Sequence, residues 1–255
     1  MPRYDFTSHR LYVDATLAPN AGIDLDPDQA NYLRNVLRLP DGAEILVFNG
    51  RDGEWSANLS AANRKSVALV ARDLVRPQTP PFGLHYLFAP LKHARLDYMI
   101  QKAVEMGAGL LRPVLTRRTQ AERINEGRMH ANAIEAAEQC GILSIPEIAP
   151  AIRLDALVEG WDKTRLLVFC DEDAPVRDPL QALKALTPLS AKGEPLPLAV
   201  LIGPEGGFDP AEREALLALP QVLRLSLGPR ILRADTAAVA ALAVIQASIG
   251  DWRHS

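Results

Sequence analysis

The sequence is poor in the features that would assign it to several common protein classes. It has only two cysteines, Cys140 and Cys170, each beside apolar residues. That excludes a disulfide framework and reads as reduced, half-buried thiols of a cytosolic protein. The five histidines, His9, His85, His93, His130 and His254, show no metal-ligand spacing, and neither cysteine has a CxxC partner, so no metal is expected. No apolar run is long enough to span a bilayer. The best, Thr236–Ile249, is short and alanine-rich, and Met1–Arg10 is polar and charged rather than an apolar leader. A cytoplasmic protein without a membrane partner is the expectation. The net charge of -3 supplies no global basic field, so a polyanion would have to be held by local patches. No P-loop, G-x-G-x-x-G fingerprint, G-x-S-x-G elbow, internal repeat or low-complexity run occurs.

What is present suits one large domain or two smaller ones. The chain has 255 residues, 48% of them hydrophobic, enough for a sizeable core. Residues 1–73 read as a small β-barrel. Arg10–Val13, Ile45–Phe48, Glu54–Leu59 and Val67–Ala71 are β-rich, and Asn49–Gly53 resembles a hairpin loop with two residues able to take positive φ. One helix interrupts them, opened by Asp26-Pro27, with Tyr32, Leu33, Val36 and Leu37 as its apolar stripe and Arg34 and Arg38 on the other face. Such a barrel serves either as an RNA-binding appendage or as a structural unit with a solvated arginine face. Residues 74–82 form a proline-rich linker, with three prolines in Arg76–Pro81.

From residue 83 to 255 the rhythm is strand–helix alternation. Strands are expected at Leu84–Ala89, Leu110–Leu115, Arg165–Cys170, Leu198–Ile202 and Val222–Leu227. Helices are expected at Arg95–Met106, Arg128–Cys140, Leu154–Glu159 and Leu180–Leu186, with a proline-rich loop after the last. This alternation predicts an α/β domain with a mostly parallel sheet.

Two of these strands end in Gly-Pro pairs, Gly203-Pro204 and Gly228-Pro229. Paired strand ends with glycine-rich turns make a backbone-lined crevice, where ligands sit in open α/β sheets. After the first turn, Asp209 as N-cap, Pro210 and Glu212 complete a capping box, and Pro220 stops the helix. Glu205 inside that turn argues against a phosphate and for a ligand with a cationic centre or several hydroxyls. After the second turn, Ile231 and Leu232 can wall an adenine-sized pocket, and Arg233 can hold an anion or pair with Asp235. Asp235-Thr236 reads as an N-cap pair for the alanine-rich helix that follows. Arg112, Arg117, Arg118, Arg123 and Arg128 outnumber Glu122 and Glu126, and Lys92–Arg95 adds a second small basic patch. Such runs are either RNA-facing or merely solvated.

The combination Leu201-Ile202-Gly203-Pro204-Glu205-Gly206-Gly207-Phe208, followed by Leu225-Ser226-Leu227-Gly228-Pro229-Arg230-Ile231-Leu232-Arg233-Ala234-Asp235-Thr236-Ala237, resembles the SPOUT-superfamily RNA methyltransferases. More closely it resembles the ribosomal RNA small-subunit methyltransferase E family. Asn31–Arg38 matches that family's N-terminal helix, and Gln101–Gly107 and Glu138-Gln139-Cys140 match its central helices. The resemblance implies S-adenosylmethionine-dependent methylation of uridine N3 in small-subunit (16S) ribosomal RNA. It implies a PUA-like barrel, a SPOUT domain with a deep trefoil knot, and a homodimer that meets ribosomal RNA or a ribosomal particle. It carries the donor site to Leu201, Ile202, Gly203, Gly206, Gly207, Leu225, Leu227, Gly228, Ile231 and Leu232. Arg233, Glu205 and Asp235 become candidates for the reacting end, and Arg10, Arg34, Arg38, Lys92, Arg117 and Arg118 for RNA. Two positions depart from the pattern: Asp235 stands where a Glu is usual, and no arginine follows Glu138-Gln139-Cys140.

Uracil N3 carries a proton at neutral pH, so methylation needs a base or a stabilised imidate anion. Arg233 is assigned the second task, by its guanidinium near the uracil carbonyls. For the base, Glu205, Asp235 and water stay open. A non-enzymatic RNA-binding protein built on the barrel and the basic patch is the alternative. An α/β enzyme for another adenosine-bearing ligand, such as a nucleotide hydrolase, lacks a phosphate loop, metal cluster or nucleophile motif.

Overall fold

The structure is a computed structural model that describes residues 7–63, 66–120, 123–175, 178–186 and 197–253. By contacts the chain divides into two compact units. One is Met1–Pro80 with Ile134–Ile145, and the other is Pro81–Ala133 with Pro146–Ser255.

The first unit holds β1 (Arg10–Tyr12), β2 (Gly22–Asp24), α1 (Pro27–Asn31), β3 (Glu44–Phe48), β4 (Glu54–Asn63) and β5 (Ser66–Arg76). They form one five-stranded sheet in the order β1-β3-β4-β5-β2. Only β1–β3 is parallel; the other pairs are antiparallel. Leu11, Ile23, Val47, Leu59 and Leu69 fill its core. The loop between β3 and β4 has the expected form. Gly50 and Gly53 take φ of 77° and 87°, and the Asn49 side-chain oxygen accepts from the Arg51 and Asp52 amides.

Three expectations for this unit need correction. Strand β2 was not foreseen; at three residues it is too short to show alternation. The helix begins as predicted, with Asp26 and Gln29 in a reciprocal capping box. It then widens into a π-helical turn over Tyr32–Val36, which rotates the stripe, so that Leu33 is buried while Val36 is exposed. Arg10 does not face solvent. Its guanidinium meets Glu54 at 2.8 Å with 6% of the side chain exposed, so it neutralises a buried carboxylate and is not offered to RNA. Arg76 shares that carboxylate at 2.6 Å and also donates to the Gly141 carbonyl at 2.9 Å. Burial opposes ionisation of Glu54, but the hydrogen bonds from Arg76 and Arg10 win and hold its pKa below the usual range.

The second unit holds β6 (Leu84–Phe88), α2 (His93–Glu105), β7 (Leu110–Leu115), β8 (Glu147–Ile148), β9 (Ile152–Arg153) and α4 (Leu154–Glu159), and shares α3 (Glu126–Cys140) with the first. It continues with β10 (Leu166–Cys170), α5 (Pro179–Lys184), β11 (Leu198–Ile202), α6 (Pro210–Leu217), β12 (Val222–Leu225) and α7 (Ala234–Ile249). Every pairing in its sheet is parallel, in the order β12-β10-β11-β6-β7-β8, with β9 against β7. This is the predicted α/β architecture. Leu87, Leu167, Phe169, Ala199 and Leu201 point to one face, where Leu154, Leu157 and Leu216 pack on them. The proline-rich loop expected after α5 falls on residues 187–196, and it, like Glu122 and His254, lies outside the described residues. Among the described residues no helix is long and apolar enough to cross a membrane, and no group of three or more His, Cys, Asp or Glu could hold a metal ion.

Candidate active site

The central strands β10, β11 and β12 end side by side, and the turns after them enclose a cavity of about 350 Å³. That volume is within the roughly 300–1,000 Å³ of small-molecule sites. The two Gly-Pro turns form opposite walls. Gly203, Pro204 and Glu205 come from the first, and Leu227, Gly228 and Pro229 from the second. The third wall was not foreseen. It is Cys170–Asp173, the segment leaving β10.

The first turn is fixed on its inner side by sterics. A Cβ at Gly203 would collide with the Phe208 ring, with Cζ 2.9 Å away. The Phe208 ring is itself held edge-on against Phe169, 5.1 Å between centroids. Only glycine lets the strand end pass so close to the ring. The Gly207 amide donates to the Pro204 carbonyl at 2.9 Å and closes the turn. Asp209 and Glu212 then start α6 with the predicted capping box.

Of the residues expected at the donor site, Ile202, Gly203, Gly207, Leu225, Leu227, Gly228, Ile231 and Leu232 line the cavity. Leu201 and Gly206 do not. Leu201 points to the opposite sheet face, into the core with α6, because side chains alternate along a strand. Gly206 faces outward, against the Arg118 side chain. Of the three residues expected at the reacting end, Glu205 lines the cavity, while Arg233 and Asp235 flank the lining residue Ala234. Asp235 does not cap the helix. The N-cap of α7 lies two residues earlier, at Arg233, and the Asp235 carboxylate accepts from the Thr236 amide at 2.8 Å. Asp235 sits in the first turn, where a carboxylate still complements the helix dipole. Among the described residues Arg233 is exposed and has no ion-pair partner, so the alternative pairing with Asp235 is not made.

Charge is unevenly shared around the cavity. Asp171, Glu172, Asp173 and Glu205 contribute carboxylates, against Arg213 and Arg230. Arg213 is already committed. Asp171, 5% exposed, takes the Arg213 guanidinium at 3.0 and 3.3 Å and Arg224 Nε at 2.8 Å. Arg224 also donates to the Asp173 carbonyl at 2.5 Å. Burial works against the Asp171 charge, but bonds from Arg213 and Arg224 overcome it and depress its pKa. These contacts join the end of β10, α6 and β12 at the third wall of the cavity. The neighbouring Cys170 thiol is pushed up to about 12, first by burial and then by the Asp171 charge. It stays protonated and is a wall, not a nucleophile.

The basic residues proposed for RNA fall into four groups. Arg38 and Lys92 are exposed. Arg34 is tied to the Leu39 carbonyl and to Asp41. Arg117 and Arg118, in the connection after β7, are exposed but turned toward the first Gly-Pro turn. Arg117 pairs with Asp209 at 2.8 Å, and Arg118 donates to the Gly206 carbonyl at 2.6 Å. Arg10 is internal, as described above.

Comparison with known proteins agrees with this geometry. A family model described as an RNA methyltransferase domain matches residues 78–246, and one described as an RNA methyltransferase PUA domain matches residues 25–71. A ribosomal RNA small subunit methyltransferase E from Synechocystis is 30% identical over 247 residues, covering 94% of this chain and 78% of the relative. The protein of that name from Rickettsia conorii is 29% identical over 93% of this chain and 95% of its own length. Among solved structures, a methyltransferase from Legionella pneumophila, in complex with bound SAM cofactor, is 28% identical with a TM-score of 0.77, covering 94% of this chain and 97% of that one.

Proposed function

We propose, on the premise that this chain belongs to the ribosomal RNA small subunit methyltransferase E family of RNA methyltransferases, that it transfers a methyl group from S-adenosylmethionine to uridine N3 of 16S ribosomal RNA in the cytoplasm. The observation that carries the reading is the cavity between the two Gly-Pro turns, lined by eight of the ten residues expected at the donor site. Its character fits the donor. Backbone-exposing turns and the apolar side chains of Ile202, Leu225, Leu227 and Leu232 suit an adenosyl group, and the carboxylates of Glu172, Asp173 and Glu205 suit a cationic centre.

S-adenosylmethionine supplies an electrophilic methyl group on its sulfonium. The chain's own work is to align the reactants and to manage the N3 proton. Arg233 is assigned to stabilise the negative charge that develops on the uracil carbonyl oxygens; its exposed guanidinium next to the lining residue Ala234 supports this. Glu205, the member of the set that lines the cavity, and Asp235 are the candidate bases.

RNA contact is assigned to the PUA-like barrel of residues 1–73, through Arg38 and the partly engaged Arg34, and to Lys92 and Arg117 in the SPOUT domain of residues 83–255, with 74–82 as linker. The deep trefoil knot belongs to the same proposal and rests on membership of the family. So does a homodimer. Ile231, 93% exposed, and the exposed Tyr98 and Trp252 leave apolar surface on the second unit for a second copy to cover.

Mass-spectrometric comparison of 16S ribosomal RNA nucleosides from cells with and without the protein tests the reaction. Loss of N3-methyluridine is expected, and an unchanged nucleoside profile overturns it. For the role of Arg233, Arg233→Ala should lower turnover by about a hundredfold with donor affinity retained; unchanged turnover would remove the assignment.

A further inference from the structure

The first Gly-Pro turn is held by three arginines, Arg95 from the first turn of α2 and Arg117 and Arg118 from the connection after β7. Arg95, at the start of α2, lies 3.5 Å from the Glu205 carboxylate. Arg117 Nη1 meets Asp209 at 2.8 Å, and the Arg117 amide donates to Glu212 at 2.7 Å. Arg118 Nη1 donates to the Gly206 carbonyl at 2.6 Å. Each cation takes a different acceptor on one seven-residue stretch and the helix start that follows it.

Arg118 has the most specific position. Gly206 is the turn residue that does not line the cavity, and its carbonyl faces away from it toward the guanidinium. A Cβ at Gly206 would touch Arg118 Cδ at 3.6 Å and Cβ at 3.8 Å, so the aliphatic stem covers the glycine while the head satisfies its carbonyl. The turn's own closing bond, from the Gly207 amide to the Pro204 carbonyl, leaves the Gly206 carbonyl to an outside donor. Phe208 pins the turn from within, against Phe169, and Arg118 pins it from without.

We infer that Arg118 is a positioning residue for the donor-binding turn, and that its first task is to hold the Gly206 peptide rather than to contact RNA phosphate. The inference rests on the donor-site reading above and deepens it. A basic patch in the sequence is here directed inward, onto the ligand turn, by a bond to a neutral carbonyl. Arg95 and Arg117 add charge-paired contacts to the same turn, and both remain exposed enough to be screened by salt.

The test separates the two tasks by leaving RNA out. S-adenosylmethionine is titrated calorimetrically into the full-length wild type, Arg118→Ala and Arg118→Lys without RNA. Roughly tenfold weaker donor binding is expected for Arg118→Ala, the scale of one lost charge-assisted hydrogen bond, with partial rescue by lysine. Thermal midpoints should match, because the side chain is exposed. Hydrogen–deuterium exchange of the ligand-free proteins is the second measurement. The amides of Gly203 and of residues 205–209 should exchange faster in Arg118→Ala, while those of β11 stay protected. Wild-type donor affinity in Arg118→Ala together with weaker RNA binding would overturn the inference and make Arg118 a phosphate contact. No donor heat in the wild type would sink the donor reading instead, and the exchange of the turn would still decide whether Arg118 holds it.

Discussion

Replacing Asp171 with alanine removes the anion that joins the end of β10, α6 and β12 in the cavity's third wall. The carboxylate accepts four hydrogen bonds, two from Arg213, one from Arg224 and one from the Asp173 amide at 3.1 Å. Breaking a buried pair by deleting one partner costs about 3–5 kcal/mol, because a charge is left stranded. Here the stranded groups are two guanidiniums with 31% and 27% of their side chains exposed, so water recovers part of the loss. About 2 kcal/mol is the expected net cost, or roughly 4–8 °C in thermal midpoint for a chain of this size. Thermal and denaturant unfolding of Asp171→Ala, Arg213→Ala and the double variant measures it; the pair should couple by about 1 kcal/mol. The pH dependence adds a signature. A folded-state pKa held below the unfolded value gives stability that is present above about pH 4 and lost as the pH falls through the folded value. The gap between wild type and Asp171→Asn should therefore close in acid. A cost below about 0.5 kcal/mol, or a gap that persists with the carboxyl protonated, would refute the account.

Three further outcomes follow from the same physics. Gly203→Ala must displace the Phe208 ring and should cost about 1–3 kcal/mol, with donor binding weakened more than stability; calorimetry and melting measure both. Glu54→Ala strands Arg10 and Arg76 in the first unit and should cost about 3 kcal/mol by denaturant unfolding, while Glu54→Gln, which keeps the shape and one acceptor oxygen but sets an NH2 donor against an arginine N–H, should cost less. The His85 pKa is lowered from 6.5 to about 4, first by burial and then by Arg165 and Arg112. Its neutral form therefore stabilises the fold fully above pH 6.5, and the contribution is lost as pH falls toward 4. Between those values His85→Gln should flatten the stability curve by about 1 kcal/mol after allowance for solvent screening.

The parts of the fold legible in the sequence are those decided by neighbours in the chain. Leu110–Leu115, Leu154–Glu159 and Leu198–Ile202 have the expected bounds, and the Asp209–Glu212 capping box is as read, because three or four adjacent residues determine each. Strands β8 and β9 have two residues each and gain their identity from β7, so no local pattern marks them. The cavity's two Gly-Pro walls were legible because glycine and proline act on their own backbone. Its third wall was not. Asp171 meets partners 42 and 53 positions away, and nothing in Cys170-Asp171-Glu172-Asp173 distinguishes a buried carboxylate from two exposed ones. Arg10 shows the same limit in reverse: its charge suggested solvent, and Glu54, 44 positions on, buries it.

The first compact unit takes a segment from beyond its own sequence boundary. Residues 134–145 belong with residues up to 80, and they supply the Glu138 carboxylate to the Tyr12 amide at 2.8 Å and the Gly141 and Leu143 carbonyls to Arg76 and Gln78. Protein synthesis runs from the N-terminus, so these acceptors do not exist when the five strands first leave the ribosome. Until residues 81–145 have been added, Arg76 keeps its pairing with Glu54 but lacks the Gly141 carbonyl, and the Tyr12 amide is left to water. Proteolysis within residues 81–133, or a gene truncated after residue 80, would yield a unit that contains every strand of its sheet and yet is unfinished.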